Sequence, residues 1–524
     1  MFIHSHQNIK NIQNSAHVLR KKPAEKPLSL ANESRPLTQD SFFTSDLSQA
    51  QALPQIETKA QTPSWHKEQV LYFPLTDRFH DGDKQNNFAV DRSHPAGFYG
   101  GDLKGLTQKL DYIESLGATS IWLSPLADNT EQLRFGDYHG YGHHGYWIKD
   151  HYAVEEHQGK MADAKNLVKE AHKRGLKVIL DVVLNHVGPD HPFAQDPNKQ
   201  GWFHNEGGID NWDDPRRVER GDLGGLPDLA QENPETYKYL MDNTLWWIKE
   251  TGVDGIRLDA VKHVEKDFWA KFVPEVKEKS GKDDLFVMGE AFHGDPNVVS
   301  EYQKAGIDSL FDLPLYYTMK ETFGEGQSFR KLGERLAQDQ LYPDPDSLVT
   351  VLDNHDLPRF LSTAKDSYFG EGEKRLKQAL AFQMTVRGVP SVYYGTESGF
   401  RGGHDPHNRE MMEFDTRPDL KSHLQTLIKT RNSSPALQHG EQRELWQDDD
   451  VYAFSRQAEE QEAIAVFHNG GEVSHRNIPL RPDSKYHENQ ILVDQISGRE
   501  FKVQGGQINV NLDPLTPLIL LPKS

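Results

Sequence analysis

Four short stretches concentrate the side chains that do acid–base chemistry. They read Asp181-Val-Val-Leu-Asn185-His186, Arg257-Leu-Asp259 followed by Lys262-His263, Gly289-Glu290, and Asp353-Asn354-His355-Asp356. Each stands at the end of an apolar, β-rich run, so three carboxylates, Asp259, Glu290 and Asp356, fall on three different run ends. Acidic groups gathered beside an arginine and several histidines work against stability, and that cost points to function. Two carboxyl groups roughly 5–5.5 Å apart can break a glycosidic bond with retention, one as nucleophile and one as proton donor. Arg257 precedes Asp259 by two residues, hence shares its face of a strand, and would hold it ionised. Glu290 must keep its proton, which nearby negative charge and desolvation favour. Asp356 is then free to bind sugar hydroxyls and to oppose ionisation of Glu290. The 25 histidines show no HExxH or comparable ligand spacing, so no zinc site is assigned.

These residues need a scaffold that brings distant run ends together. Apolar runs stand at 70–75, 120–125, 177–184, 255–261, 285–290, 309–315, 347–353 and 391–395. Amphipathic helices separate most of them. One covers residues 103–116, with Leu103, Leu106, Leu110, Ile113 and Leu116 on one face and a stop at Gly117. Another opens with Asn233 as cap and Pro234 in its first turn, and ends near Gly252. Eight buried strands alternating with helices indicate a parallel α/β fold, and the number eight favours a closed (β/α)8 barrel. In such barrels the active site lies at the C-terminal strand ends, where the carboxylates stand.

The barrel reading occupies residues 65–186 and 233–435. Residues 187–232 form a long loop rich in Gly, Asp, Asn, Pro and Trp, read as an inserted functional domain. Residues 436–524 alternate as short strands, in DVYAFSR, EAIAVFHN, QILVD, QINVNL and PLILL, and read as an antiparallel β-sandwich. Residues 1–64, rich in Gln, Asn, Ser, Lys and Pro, read as a disordered leader or linker.

With 59 basic against 79 acidic residues, the formal charge of −20 repels phosphate backbones and anionic lipid. Nucleic-acid and membrane-surface roles are therefore excluded, while a neutral substrate meets no such barrier. No uninterrupted apolar run reaches the ~18 residues of a membrane span. The absence of cysteine removes disulfides, thiolate nucleophiles and Cys-ligated zinc. The first residues lack the apolar stretch of a secretory signal, which gives a cytoplasmic expectation.

The short segments, taken together and in order, resemble the α-amylase family of glycoside hydrolases. They are DVVLNH (181–186), LPDL (226–229), GIRLDAVKH (255–263), the Gly-Glu of FVMGEAF and VLDNHD (351–356), and the resemblance covers roughly residues 66–524. It implies an enzyme acting on α-1,4-glucans such as starch, with Asp259 as nucleophile, Glu290 as general acid/base and Asp356 as transition-state stabiliser. It also implies that His186, Arg257 and His355 line the subsite at the scissile bond. HHGYW (143–147) is similar to a family segment that places His144 and Tyr146 on the same sugar. GGHDPHNRE (402–410) is similar to one that places Asp405 and Arg409 on a sugar further along the non-reducing side. Lys262 and His263 match residues near the leaving group.

The same resemblance implies calcium. Asn185, Asp228 and the backbone carbonyl of His263 would hold one ion between barrel and insertion, with a further side chain among Asp210, Asp213 and Asp214. DGDKQNN (81–87) with YGGD (99–102) looks like the N-terminal calcium loop of cyclodextrin glucanotransferases, with Asp81, Asp83, Asn86, Asn87, Gly100 and Asp102 as ligands. Oxygen donors of this kind suit Ca²⁺. Rival readings are a neopullulanase or cyclomaltodextrinase, a glucanotransferase, and an inactive binding subunit. The first usually carries an N-terminal β-domain larger than residues 1–64. The second would need further C-terminal domains, and the third would lack a catalytic carboxylate.

Overall fold

The computed structural model describes residues 65–523 apart from 136 and 137. The leader expected over residues 1–64 lies outside the described residues. The eight apolar runs form parallel strands β1 (Leu71–Phe73), β2 (Ser120–Leu123), β3 (Lys177–Val182), β4 (Gly255–Leu258), β5 (Phe286–Gly289), β6 (Ser309–Leu310), β7 (Val349–Val351) and β8 (Val389–Tyr393). They pair in the order 6-5-4-3-2-1-8-7, and a parallel bridge between Phe311 and Val349 closes the ring. The result is a (β/α)8 barrel. Its strands are buried on both faces, which is why they read as continuous apolar runs.

Two features depart from the sequence reading. The run at 309–315 supplies only two strand residues, because Asp312 accepts the Leu315 N–H and starts a helix at Leu313–Met319. Residues 103–116 fold as two helices, α1 (Leu103–Gln108) and α2 (Leu110–Leu116), with Lys109 between them outside helical geometry. The expected apolar face stays buried, and Gly117 ends it in the left-handed conformation at φ 89°. The helix α3 (Pro234–Thr251) begins where Asn233 Oδ1 accepts from Glu235 and Thr236, and it ends at Gly252.

Long connections follow both β2 and β3. Between β2 and the next helix stand two small antiparallel pairs, Ala127–Asn129 with Ile148–Val154 and Gln132–Phe135 with Tyr138–Tyr141. In the sequence only the second connection, 187–232, reads as irregular. That insertion is stitched back to the barrel by Leu229 N–H donating to Asn185 O at 2.8 Å and Val187 N–H to Pro227 O at 3.1 Å.

After the barrel, eight antiparallel strands close around their own apolar core, which includes Val451, Ile464, Val510 and Leu520. Three of them, Glu441–Gln447, Ser474–Pro479 and Glu500–Gln504, went unread in the sequence. The first two carry too few apolar residues to show an alternating face. Among the described residues no helix is long and apolar enough to cross a membrane.

Candidate active site

The C-terminal ends of β3, β4 and β5 converge on one guanidinium. Arg257, wholly buried, sends Nη1 to Asp259 Oδ1 at 2.6 Å and to Asp181 Oδ1 at 2.9 Å, and Nη2 to Glu290 Oε2 at 2.9 Å. The parallel register explains the meeting. Asp181 faces Arg257 across β3 and β4, and Met288 faces Arg257 across β4 and β5, so Glu290 follows two residues later on the same face. Directly after Asp259 the chain turns at Ala260, a non-glycine residue held at φ 50°, ψ 37°. Backbone in this region is unfavourable for a residue with a Cβ and collects at functional sites.

Asp356 completes the set from the loop after β7. His355 Nε2 lies 3.0 Å from its Oδ2, and Arg409 Nη2 lies 3.4 Å from its Oδ1. Arg409 also pairs with Asp405 at 3.0 Å and donates from Nε to the His355 carbonyl. Asn408 fastens the same loop by donating from its buried amide to the carbonyls of His355 and Leu357, both at 2.9 Å. The segments at 351–356 and 402–410 therefore act as one piece.

Tyr146 joins the cluster from the connection after β2. Its hydroxyl donates to Asp181 Oδ2 at 2.8 Å, and its ring stacks on His355 with centroids 5.1 Å apart and 10° between planes. His144 stacks on Tyr146 at 5.7 Å, and His186 Nε2 lies 3.1 Å from the Tyr146 carbonyl. Lys262 reaches the Phe292 carbonyl at 2.9 Å beside β5. The ring of His263 faces the insertion instead, with Nδ1 3.0 Å from Val218 O and Trp212 edge-on at 5.9 Å. Asp181 is the member to which the sequence alone assigns no role. It also accepts from Trp122 Nε1 at 3.1 Å, so three donors converge on one buried carboxylate. Its place at the end of β3, opposite Arg257, was the available signal.

Four carboxylates, Asp181, Asp259, Glu290 and Asp356, thus share the cationic groups of Arg257 and Arg409. Burial pushes Glu290 up to about 8; Arg257 opposes the shift, while Asp259, Asp356 and Asp181 add to it. Burial raises Asp181 to about 7, again against the pull of Arg257. Burial also keeps His355 down at about 3 and lowers His186, so these rings meet a ligand as neutral imidazoles at neutral pH. The cluster can hold a proton on Glu290 beside a carboxylate, Asp259, that is gripped by a cation. That is the division between proton donor and nucleophile that retaining glycosidic cleavage requires.

Two places outside the cluster hold buried oxygens without a hydrogen-bond donor. In the first, Asn185 Oδ1 and Asp228 Oδ1 lack partners, while His204 Nδ1 lies 2.5 Å from the other Asp228 oxygen. Of the insertion aspartates, Asp210 pairs with Arg217 and Asp214 caps Pro215–Arg220. It is Asp222 that lies beside Asp228, accepting its N–H at 3.2 Å. The second place holds Asp81 Oδ1, Asn86 Oδ1 and Asn87 Oδ1, all buried and unpartnered. A Cβ at Gly100 would come within 2.6 Å of Asn87 Oδ1, so only glycine keeps the cradle open. Asp83 turns aside to Gln85 N–H and Lys104, and Asp102 accepts the N–H groups of Gly82, Asp83 and Gly105. Buried oxygens without donors are unfavourable by about 1–3 kcal/mol each, and a hard cation satisfies them.

The model of the alpha amylase catalytic domain matches residues 73–462. The "Beta/alpha-amylase" of Paenibacillus polymyxa is 39% identical over 86% of this chain, which spans 37% of that relative's length. A cyclomaltodextrin glucanotransferase of Klebsiella oxytoca is 33% identical, covering 79% of this chain and 72% of its own. The crystal structure of an Anoxybacillus alpha-amylase is 40% identical and superposes with a TM-score of 0.81, over 87% of this chain and 99% of that one.

Proposed function

The chain belongs to the α-amylase family of glycoside hydrolases, enzymes of α-glucans, and from that premise we propose that it hydrolyses α-1,4-glucosidic bonds with retention. Its substrates are starch, glycogen or maltooligosaccharides. The observation that carries the reading is the forked grip of Arg257, which holds Asp259 and Glu290 on different nitrogens of one guanidinium. Glu290 gives its proton to the departing glycosidic oxygen while an Asp259 oxygen bonds to the anomeric carbon. The released chain leaves with that proton. Glu290, now ionised, takes a proton from water as the water oxygen attacks the same carbon and frees Asp259. Asp356, Arg409, Asp405 and the neutral imidazoles of His144, His186 and His355 bind sugar hydroxyls, and Tyr146 lines the subsite with its ring. Lys262 and the insertion flank the leaving-group side.

Ca²⁺ is the proposed resident ion at both groups of unpartnered oxygens. Asn185, Asp228 and the His263 carbonyl would hold one ion, and Asp81, Asn86 and Asn87 would hold another with the Gly100 backbone. Bound there, it would neutralise buried carboxylate charge, and the ion at Asn185 and Asp228 would anchor the insertion.

Proton NMR of maltooligosaccharide hydrolysis tests the reaction. The first product released is expected to be the α-anomer, and an initial β-anomer removes Asp259 as nucleophile. The similarity to a glucanotransferase supports a second reading, transfer to another glucan in place of water. Cyclic or lengthened products from maltoheptaose, in place of shorter ones, would select it.

A further inference from the structure

His157 lies outside the catalytic cluster, in the turn after the Ile148–Val154 strand, and its ring is set up as a ligand. The side chain is buried, with 3% exposure, and Phe98 stacks on it at 3.8 Å with 6° between planes. Nδ1 lies 2.6 Å from Glu155 Oε1. A carboxylate there accepts the Nδ1 proton, which leaves the lone pair on Nε2. Glu155 is itself fixed, because its other oxygen accepts the Asn129 N–H at 3.0 Å. Nε2 is buried and has no hydrogen-bond partner. A carboxylate that holds one imidazole nitrogen and frees the other is the arrangement found behind metal-ligating histidines.

Acidic groups stand where that lone pair needs a cation. A ring nitrogen of His157 and one oxygen each of Glu131 and Glu156 all lie within 4.8 Å of one another. Asp128, Glu155 and Glu156 form a second such group that shares Glu156. Lys149 lies 3.8 Å from Asp128. Glu131 and Glu156 are exposed and can turn inward. Bonds of about 2.0–2.2 Å from a small dication to nitrogen and oxygen fit within that span after a modest closure.

We propose that His157 Nε2, Glu131 and Glu156 bind a divalent transition-metal ion of the Zn²⁺ type, with Glu155 orienting the imidazole. The mixed nitrogen and oxygen donors separate this place from the two all-oxygen groups described above. Asn86 donates from its side chain to the His157 carbonyl at 3.0 Å, so an ion here would brace the loop at 81–87 against the turn at 155–158.

The test uses the full chain, stripped with chelator and returned to excess Ca²⁺ so that oxygen-only sites are filled. Titration with Zn²⁺ alone, followed by calorimetry and elemental analysis, is expected to give one more equivalent in the wild type than in a Glu131→Gln/Glu156→Gln double variant. Both changes are on exposed side chains, so the double variant folds. Glu155→Gln is expected to weaken that equivalent about 10–100-fold, the effect of losing the carboxylate behind a ligating histidine. Co²⁺ in place of Zn²⁺ is expected to give a visible absorption band that His157→Gln removes. Equal Zn²⁺ uptake by wild type and double variant, or no uptake under excess Ca²⁺, overturns the proposal.

Discussion

Asp181 and Arg257 are register partners on adjoining strands, and their side chains meet at 2.9 Å in the floor of the cluster. Neither is exposed to solvent, yet the pair sets both the position of Asp259 and the charge felt by Glu290. Asp181 touches Arg257 and Tyr146 and adds to the field at Glu290, so the expected role is positioning. Asp181→Asn removes one of the negative charges that raise Glu290, so the alkaline limb of kcat/KM is expected to move to lower pH. A purely structural role would lower activity without moving the limb.

The wild-type profile follows from Glu290. With Glu290 as the proposed proton donor, kcat/KM is expected to fall as pH rises through about 8. Folding is linked in the same direction. The ordinary glutamate value is 4.5, so between 4.5 and about 8 the folded chain holds a proton that the unfolded chain has released. Stability contributed by this group therefore declines as pH rises across that window. Glu290→Gln is expected to abolish turnover by several orders of magnitude. Its melting temperature relative to wild type should climb from pH 4.5 to 8, and a gap that stays constant over that range contradicts the assignment.

Arg257→Met leaves Asp181, Asp259 and Glu290 without their shared cation. Removing one partner of a buried ionic group is unfavourable by about 3–5 kcal/mol. Denaturant unfolding at pH 7 is expected to show a loss of that order, with activity lost as well. Part of the stability should return at low pH, where the orphaned carboxylates take up protons. A variant as stable as the wild type at pH 7 would mean that the cluster does not rely on this arginine.

Calcium removal is expected to separate the two proposed sites. Asn185 belongs to the loop that follows β3, and the insertion is bonded to its carbonyl, so Asp228→Ala is expected to lower both melting temperature and turnover. Asn87→Ala, in the loop after β1, is expected to lower melting temperature with turnover near normal at low temperature. Binding to the native state alone contributes about 2.7 kcal/mol at a hundredfold excess over Kd. Calorimetry of each variant with and without Ca²⁺ checks this, and a metal-stripped wild type that keeps its full melting temperature and rate rejects both sites.

The barrel was legible in the sequence because a strand buried on both faces must be apolar throughout, and eight such runs left little choice. The sequence also identified Asp259, Glu290 and Asp356 as groups on strand ends. It missed the two small β pairs at 127–154, whose side chains alternate too irregularly to announce a strand, although they carry His144 and Tyr146 into the site. The helix start at Asp312 was missed for another reason. Its carboxylate is held by Arg335 and Arg387, from 23 and 75 residues further along, and no local pattern reports such partners.

Residue type and order alone determined which carboxylates could do the chemistry, because acid–base capacity belongs to the side chain. Which of them keeps its proton was decided by tertiary structure. Glu290 is raised by burial and by Asp259, Asp356 and Asp181, while Arg257 pulls the other way, and these groups come from four separate strand ends. The same holds for the histidines. His157 and His263 are alike in the chain, but Glu155 engages one imidazole at Nδ1 and leaves its Nε2 without a partner, and Val218 engages the other. Electrostatic and hydrogen-bond environments are sums over neighbours in space, and the barrel supplies those neighbours only once it has closed.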